Sequence, residues 1–396
     1  MSIQVAPLAL AGLLLALPTP EETIVLEGAD GSMRRQPLAG FQIDSWEEAD
    51  AVLVRFEGHA PAFDERAESE LADLYLRNGD HIRGLLLQGR GDLLLVELLG
   101  GVRMTVSIDH LDHLVVPGRT AGAIEEIPVE GRNGDTLLQA AGEGYDRLDG
   151  AVEEFAEEGV RFDGPLGMRT HTWGELVGLW LEPFGELPPE LADGPGVVAV
   201  DLFDGSRLRG RIQRMSEDAC VLETPSGEEL ELALKTVSEI AVADGRLAFL
   251  SELPVAEAQE GSPFGDDLGM RWPHRLDRSV TGGPLISGGR QYTRGLGVHA
   301  PSRLRWELDG TWSRLRGACA LSDEVLRLPV RGSVIFRVLV DGESRWESAR
   351  MRGGDAPVEL PSISLAGASE LVLEVDMAGD FFAGDRANWL RMLLLR

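Results

Sequence analysis

The sequence predicts an all-β protein. Glycine and proline account for 48 and 21 of the 396 residues, and they divide the chain into short apolar segments. Turn residues at such short intervals are typical of β architecture, and long segments with helical periodicity are scarce. Apolar residues make up 43% of the chain, which is enough for packed cores and excludes a disordered protein.

The chain begins with an apolar run from Val5 to Leu17, which is followed by a proline-rich stretch. The run has the length of a signal-peptide core and is short for a membrane span. We therefore expect residues 1–20 to be a signal peptide and the protein to be extracytoplasmic, in the periplasm or at the cell surface, with no other membrane insertion. A misassigned start or an apolar first strand is the alternative, because no Lys or Arg precedes the run. Residues 21–69 are predicted to be a strand-rich N-terminal segment. One interpretation of this segment is a partial module fused to the repeat.

Three glycines mark a repeat in the first two thirds of the chain. Gly84, Gly150 and Gly210 lie about 60 to 66 residues apart, each at the end of a short alternation of polar and apolar residues. A glycine within a strand allows a sharp bend of the sheet, because it has no Cβ. Each unit closes with two apolar residues three positions apart, which we interpret as one helical turn before the last strand. These pairs are Leu111 and Leu114, Leu176 and Leu179, and Val237 and Ile240.

The repeat resembles the Sm-like or SH3-like barrel, most closely in the stretches from Asn78 to Gly84 and from Phe203 to Gly210. The resemblance implies tandem small β-barrels. We place them at residues 70–120, 133–187 and 195–246, and the second copy is the most degenerate. Residues 247–266 are rich in Glu, Pro, Ser and Gly, and they are predicted to be a linker.

The net charge of −29 restricts the partners of these barrels. The acidic excess lies in the first two thirds of the chain, whereas the part after Asp267 is close to neutral. Nucleic-acid affinity depends on cationic contacts with phosphates, so we expect no nucleic-acid binding, although Sm-like proteins often bind RNA. The acidic barrels are instead expected to contact protein partners.

Residues 267–396 show strands that alternate apolar and polar residues between Gly and Asp turns. Val334, Phe336 and Val338 share one face of such a strand. This pattern predicts an antiparallel β-sandwich.

Three landmarks occur in order in this segment: Gly-Leu-Gly-Val-His-Ala at 295–300, Gly-Ser-Val-Ile-Phe-Arg-Val-Leu-Val-Asp-Gly at 332–342, and Gly-Asp-Arg-Ala-Asn-Trp at 384–389. They resemble the NPCBM family of carbohydrate-binding modules, which have a galactose-binding-like jelly-roll fold. The family usually has His at the position of Arg386, and it tends to carry Gly-Val-Asp-Asp near Leu321 and Ser322.

The resemblance implies a glycan-binding site, with galactose-type sugars as the precedent. Aromatic faces pack on the C–H side of a pyranose while polar side chains bind its hydroxyls. For Trp389, a place in the core is the alternative. Related jelly rolls often hold a structural calcium ion, for which Asp380 and Asp385 would be ligands by analogy, and no other cofactor is expected. The predicted sugar-binding residues are His299, Trp346, Asp385, Asn388 and Trp389.

The sequence contains no G-x-S-x-G, H-E-x-x-H or phosphate-cradling loop. We therefore expect a non-catalytic, multi-modular, exported bacterial protein that recognises glycan through its C-terminal domain. The alternative is a protein–protein interaction or scaffold protein whose NPCBM-like domain no longer binds sugar.

Overall fold

The computed structural model describes residues 22–57, 70–98, 100–120, 124, 134–183, 185–261, 272–379 and 382–396. The described chain is all-β, with one large apolar cluster in its first part and a second in its C-terminal part. The predicted signal peptide lies outside the described residues. Within the described ranges, no helix has the length and apolar character that a membrane span requires.

The N-terminal segment contributes four strands, with a 3-10 turn at Trp46–Ala49 before the last of them. They are β1 (Thr23–Glu27), β2 (Met33–Pro37), β3 (Gln42–Ile43) and β4 (Leu53–Glu57). Strand β1 lies between β2 and β4 and pairs antiparallel with both.

Three five-stranded units follow. In each unit the first strand pairs with the fifth and the second, and the third and fourth strands continue outward from the second. Unit one comprises β5 (Leu71–Leu76), β6 (His81–Arg90), β7 (Leu93–Leu98), β8 (Arg103–Ser107) and β9 (Leu111–Val115). Unit two comprises β10 (Asp135–Ala141), β11 (Gly144–Ala156), β12 (Gly159–Gly164), β13 (Gly167–Thr172) and β14 (Leu176–Trp180). Unit three comprises β15 (Val198–Leu202), β16 (Arg207–Ser216), β17 (Ala219–Glu223), β18 (Glu229–Ala233) and β19 (Val237–Val242).

The three repeat glycines lie within the second strand of each unit, just before a register shift against the third strand. A Cβ on Gly84, Gly150 or Gly210 would lie 2.6, 2.1 or 2.3 Å from a carbonyl oxygen of that third strand. Such distances are too short for a Cβ, so only glycine allows the strands to approach this closely at the bend.

The paired apolar residues do not form the helical turn that the sequence suggested. They lie in the fifth strands, and in units one and three a 3-10 turn precedes them, at Ile108–His110 and Leu234–Thr236. A register shift between the first and fifth strands of each unit explains their spacing of three. The extra residue at the shift returns both apolar side chains to the buried face.

The units pair through their fifth strands. β9 pairs with β14 and joins units one and two in a ten-stranded sheet, while β19 pairs with β4 and joins unit three to the N-terminal segment. In the N-terminal segment the strands lie in the order β2-β1-β4. They correspond in position to the second, first and fifth strands of a five-stranded unit. Between β2 and β4, where every residue is described, only the short β3 occurs, and it pairs with β16. The N-terminal segment is therefore a truncated fourth unit.

Register identifies where the truncation begins. Ile24 lies opposite Gln36 in β1 and β2, as Val198 lies opposite Gly210 in unit three. Gln36 thus occupies the position of the bend glycine, and Pro37 ends the strand directly after it. Without the glycine and with a proline that lacks an N–H, the strand does not continue into a third and a fourth.

The C-terminal part is a sandwich of two antiparallel sheets, with a separate hairpin of β23 and β24. One sheet has the order β22-β25-β34-β27-β31, with β20 on β34 and β32 on β27, and the other has the order β21-β26-β33-β28-β29, with β30 on β28. The strands are β20 (Leu247–Phe249), β21 (Glu257–Glu260), β22 (Arg275–Leu276), β23 (Leu285–Ser287), β24 (Arg290–Tyr292), β25 (Gly295–His299), β26 (Ser302–Glu307), β27 (Arg314–Leu321), β28 (Ser333–Val340), β29 (Glu343–Glu347), β30 (Met351–Arg352), β31 (Val358–Glu359), β32 (Ile363–Ser364), β33 (Glu370–Met377) and β34 (Arg386–Leu395). The remaining 3-10 turns are Pro117–Arg119, Pro189–Leu191, Leu250–Glu252 and Asp323–Arg327.

The stretch 247–266, predicted to be a linker, is instead part of the sandwich over its described residues. β20 pairs with the last strand β34, and β21 extends the second sheet beside β26. Phe249 and Leu250 are buried. The turn-rich composition of this stretch gave no strand signal, because both strands are short and β21 exposes polar side chains at a sheet edge.

Buried ion pairs join the sandwich to the nine-stranded sheet. Each pair places a sandwich arginine against a carboxylate that is only 2–3% exposed. The pairs are Arg294 with Asp201 (2.6 and 2.8 Å), Arg316 with Glu27 (2.7 Å) and Arg391 with Glu239 (2.8 Å). Part of the acidic excess before Asp267 therefore serves the contact between domains.

Candidate functional site

An aromatic cluster lies at one end of the sandwich, where β25 ends at His299. The imidazole stacks on Trp272, with ring centroids 5.4 Å apart and an interplanar angle of 16°. Phe382 packs on the same imidazole at a tilt, with centroids 4.4 Å apart. His299 is 5% exposed, and the half-buried Trp272 reaches solvent.

Charged side chains surround this cluster. Arg386 lies opposite His299 in the pairing of β25 with β34, and its guanidinium lies 5.4 Å from the centre of the Trp272 ring. It also donates to Glu324 at 3.4 Å. Hydroxyl groups of Ser279 and Thr281 donate to the other carboxylate oxygen of Glu324, at 2.7 and 2.6 Å. These bonds hold the carboxylate in one orientation beside the guanidinium of Arg386.

The protonation state of His299 follows from its surroundings. Burial lowers the pKa of the imidazole below its usual value of 6.5, and the nearby positive charge of Arg386 lowers the pKa further, against the opposing effect of a hydrogen bond with the backbone of Ala300. The ring is therefore neutral at pH 7. Its Nδ1 lies 2.9 Å from the carbonyl oxygen of Ala300, so Nδ1–H donates and Nε2 is left as an acceptor.

This arrangement combines aromatic faces, a neutral acceptor, a guanidinium and a carboxylate within one cluster, which we call the His299 cluster (Trp272, His299, Glu324, Phe382 and Arg386). The aromatic side chains offer contact with C–H groups, and the polar side chains offer both donors and acceptors. The cation and the anion pair with each other. The His299 cluster is therefore suited to an uncharged ligand with several hydroxyl groups.

Three of the five predicted sugar-binding residues are fully buried, and two of them lie in strand β34. Trp389 is 0% exposed and packs edge-on against Phe336, with centroids 4.9 Å apart. Asn388 is also 0% exposed, and its amide donates to the hydroxyl of Ser287 at 3.1 Å. The structure thus places both side chains inside the sandwich.

Asp385 is buried as well, at 0% exposure, and it accepts a hydrogen bond of 2.8 Å from the backbone N–H of Ser333. This bond ties the start of β34 to the start of β28. Asp380, the other predicted calcium ligand, lies outside the described residues. In the described part of the chain, no group of three or more His, Cys, Asp or Glu side chains is placed to hold a metal ion.

Trp346 lies on β29, at the edge of the six-stranded sheet, and is half-buried against the core. His299 lies on the other sheet. Of the five predicted residues, His299 alone belongs to the cluster.

Sequence reasoning missed Trp272, Glu324 and Phe382 as site residues, and it treated Arg386 only as a departure from a family pattern. Trp272 precedes β22, and Glu324 lies on a short 3-10 turn, so neither belongs to an alternating pattern. One signal was available. The first landmark ends near His299 and the last begins near Arg386, and pairing of these two strands would have placed the two side chains together.

A known family matches the C-terminal part of the chain. Residues 246–394 match the model of the family described as NPCBM/NEW2 domain. This match covers less than half of the chain, and over the C-terminal part it confirms the predicted NPCBM family.

Among curated proteins, alpha-1,3-galactosidase B of Akkermansia muciniphila is 37% identical over 120 residues, which is 29% of this chain and 14% of the relative. The match therefore spans a small part of that relative. Among solved structures, the CBM51 of Clostridium perfringens GH95 in complex with methyl-galactose is 23% identical, covering 37% of this chain and 99% of that chain with a TM-score of 0.33. The CBM51-2, in complex with GlcNAc, and INT domains of Clostridium perfringens ZmpB are 22% identical. That match covers 50% of this chain and 45% of the other, with a TM-score of 0.34.

Proposed function

We propose that the C-terminal sandwich is a non-catalytic module that binds a galactose-type sugar at the His299 cluster. The observation that carries the proposal is the neutral imidazole of His299, whose Nε2 accepts beside a stacked Trp272 and the Arg386–Glu324 pair. A sugar hydroxyl would donate to Nε2, and others would bind the ion pair. The choice of galactose rests on the sequence likeness to an enzyme named as a galactosidase.

We further propose that the protein acts outside the cytoplasm, as the apolar N-terminal run suggests, and that the five-stranded units carry the sandwich rather than bind nucleic acid. The acidic net charge of −29 supports the exclusion of nucleic acid, because phosphates would be repelled. The buried ion pairs with Asp201, Glu27 and Glu239 support the carrier role.

A scaffold protein without sugar binding is the second candidate. The burial of Asp385, Asn388 and Trp389 favours it, because these landmark residues stabilise the fold and their presence does not require a ligand. The two candidates differ in what the His299 cluster does, and the following two experiments separate them.

The variant His299→Ala is expected to weaken binding of methyl-galactoside at least about tenfold, since it removes a buried acceptor and one aromatic contact. Isothermal titration calorimetry on the full chain measures this effect. Trp346→Ala is the matched control, because Trp346 lies on the other sheet and should leave the affinity unchanged. Wild-type affinity in a folded His299→Ala protein would exclude this site.

The pH dependence of binding gives an independent check. The pKa of His299 lies below 6.5, so Nε2 stays an acceptor at neutral pH and gains a proton only in the acidic range. We expect the affinity for methyl-galactoside to be constant from about pH 8 to about pH 6.5 and to fall at lower pH. An affinity that rises on acidification would contradict the assigned role of the imidazole.

A further inference from the structure

A cavity of about 1000 Å³ lies between unit one, unit three and the sandwich, and residues of all three line it. Tyr75 and His81 line it from unit one, Arg207 from unit three, and Phe249, Leu276 and Asp277 from the sandwich. None of the five residues of the His299 cluster is among its lining residues. Cavities at domain interfaces are a common location of ligand sites, and this one has the size of such a site.

One strand connects the cavity with the His299 cluster. Trp272, which stacks on His299, precedes β22, and Leu276 at the end of β22 lines the cavity. β22 is the outermost strand of its sheet among the described residues, where it pairs with β25. The chain from Trp272 to Leu276 spans at most about 13 Å, and it turns directly afterwards at Asp277, whose φ of 54° is left-handed. The cluster and the cavity are therefore two ends of one exposed edge of the sandwich.

The charges of the cavity wall are balanced. Six arginines line it, together with six carboxylates, and ion pairs such as Arg294–Asp201 and Arg207–Glu252 connect them. The arginines are Arg83, Arg207, Arg209, Arg278, Arg294 and Arg396, and the carboxylates are those of Glu97, Asp193, Asp201, Asp204, Glu252 and Asp277. Burial raises the pKa of Asp277 to about 7, so at neutral pH the wall has at most a small net positive charge, which gives little attraction for a highly charged anion such as a nucleotide.

Apolar surface lies between these charges. Leu276 is 46% exposed, and Phe249 and Trp312 also line the cavity. The side chains of Asp277 and Glu252 are 30% and 29% exposed. Each carboxylate already accepts hydrogen bonds from protein groups, such as Arg294 and the N–H of Phe249, and has further lone pairs that a sugar hydroxyl could use. Apolar patches beside accessible acceptors and donors suit the C–H faces and the hydroxyl groups of a neutral sugar chain.

We propose that the cavity extends the sugar site, so that the protein binds an oligosaccharide. The terminal sugar occupies the His299 cluster, and the following sugars run along β22 past Leu276 into the space beside unit three. This inference rests on the proposed function of the cluster. It assigns to the five-stranded units a direct part in ligand recognition.

Comparison of ligand lengths on the full chain tests the extension. Calorimetry with methyl-galactoside and with a galactose-terminated tetrasaccharide should show that the longer ligand binds at least about tenfold more tightly. The double variant Leu276→Ala with Arg278→Ala should reduce this preference to about twofold or less, with unchanged affinity for methyl-galactoside. Leu166→Ala with Arg345→Ala is the matched control, since both side chains are exposed and neither lines the cavity.

The possible outcomes distinguish the extension into the cavity from the terminal-sugar site on which it rests. Equal affinities of the wild-type protein for both ligands would overturn the extension and leave the terminal-sugar site intact. Equal weakening of both ligands by the double variant would also overturn it, because the change would then act on the cluster. Absence of binding of either ligand to the wild-type protein would overturn the extension together with the proposed function.

Discussion

Replacing Arg294 by alanine should lower the free energy of unfolding by about 3 kcal/mol, because it breaks a buried ion pair and leaves the charge of Asp201 under-compensated. Asp201 is 3% exposed and accepts two hydrogen bonds from Arg294, at 2.6 and 2.8 Å. Arg207 stays bonded to one of its oxygens at 3.1 Å. That remaining partner places the effect at the lower end of the range for broken buried pairs.

Chemical unfolding of the full chain, followed by tryptophan fluorescence, measures this loss as a lower midpoint of the first transition. Arg345→Ala is the control, since Arg345 forms an exposed pair with Glu343 and should cost less than about 1 kcal/mol. If Arg294→Ala lowers the unfolding midpoint no more than Arg345→Ala does, the Arg294–Asp201 pair does not stabilise the contact between the sandwich and unit three.

Replacing Trp389 by alanine should cost about 3–5 kcal/mol of stability through the cavity left in the sandwich core. Trp389 is fully buried and contacts Phe336 edge-on. Trp346→Ala, on the half-buried edge strand β29, should cost clearly less. Thermal unfolding of the two variants, measured side by side, compares the two losses.

A direct role of Trp389 in sugar contact predicts a different pattern. The variant would then keep most of its stability and lose its affinity for sugar. The conservative variant Trp389→Phe separates the effects further, because it retains an aromatic core residue. We expect it to recover part of the stability and to bind methyl-galactoside as the wild-type protein does.

The strand architecture could be predicted from the sequence because it depends on local signals. Gly84, Gly150 and Gly210 identify the bends, since only glycine fits beside the third-strand carbonyl groups. Alternation in β28 identifies the sandwich core. The pairing of units through β9 and β14 was not predictable in this way, because it depends on contacts between segments far apart in the chain.

The site was harder to predict than the fold, for a physical reason. Residues that identify the family in sequence, such as Asn388 and Trp389, are buried and stabilise the sandwich. Residues of the proposed site, such as Trp272 and Glu324, lie outside the regular strands and follow no periodic pattern. His299 is the exception, because it ends a landmark strand and also belongs to the His299 cluster.

The charge of the first two thirds has a structural use that composition alone did not reveal. Asp201 and Glu27 occupy equivalent strand positions in unit three and in the truncated unit, as the registers Asp201↔Arg207 and Glu27↔Met33 show. Each of these carboxylates binds an arginine of the sandwich. Unit three and the truncated unit therefore contact the sandwich through buried ion pairs, and unit three also borders the interdomain cavity.

A crystal structure of the full chain with methyl-galactoside tests the central claim most directly. We predict that the sugar stacks on Trp272, with one hydroxyl within hydrogen-bond distance of His299 Nε2 and another bound to Arg386 or Glu324. A sugar bound at Trp346, or elsewhere on the sandwich with the His299 cluster free of ligand, would contradict the proposed site.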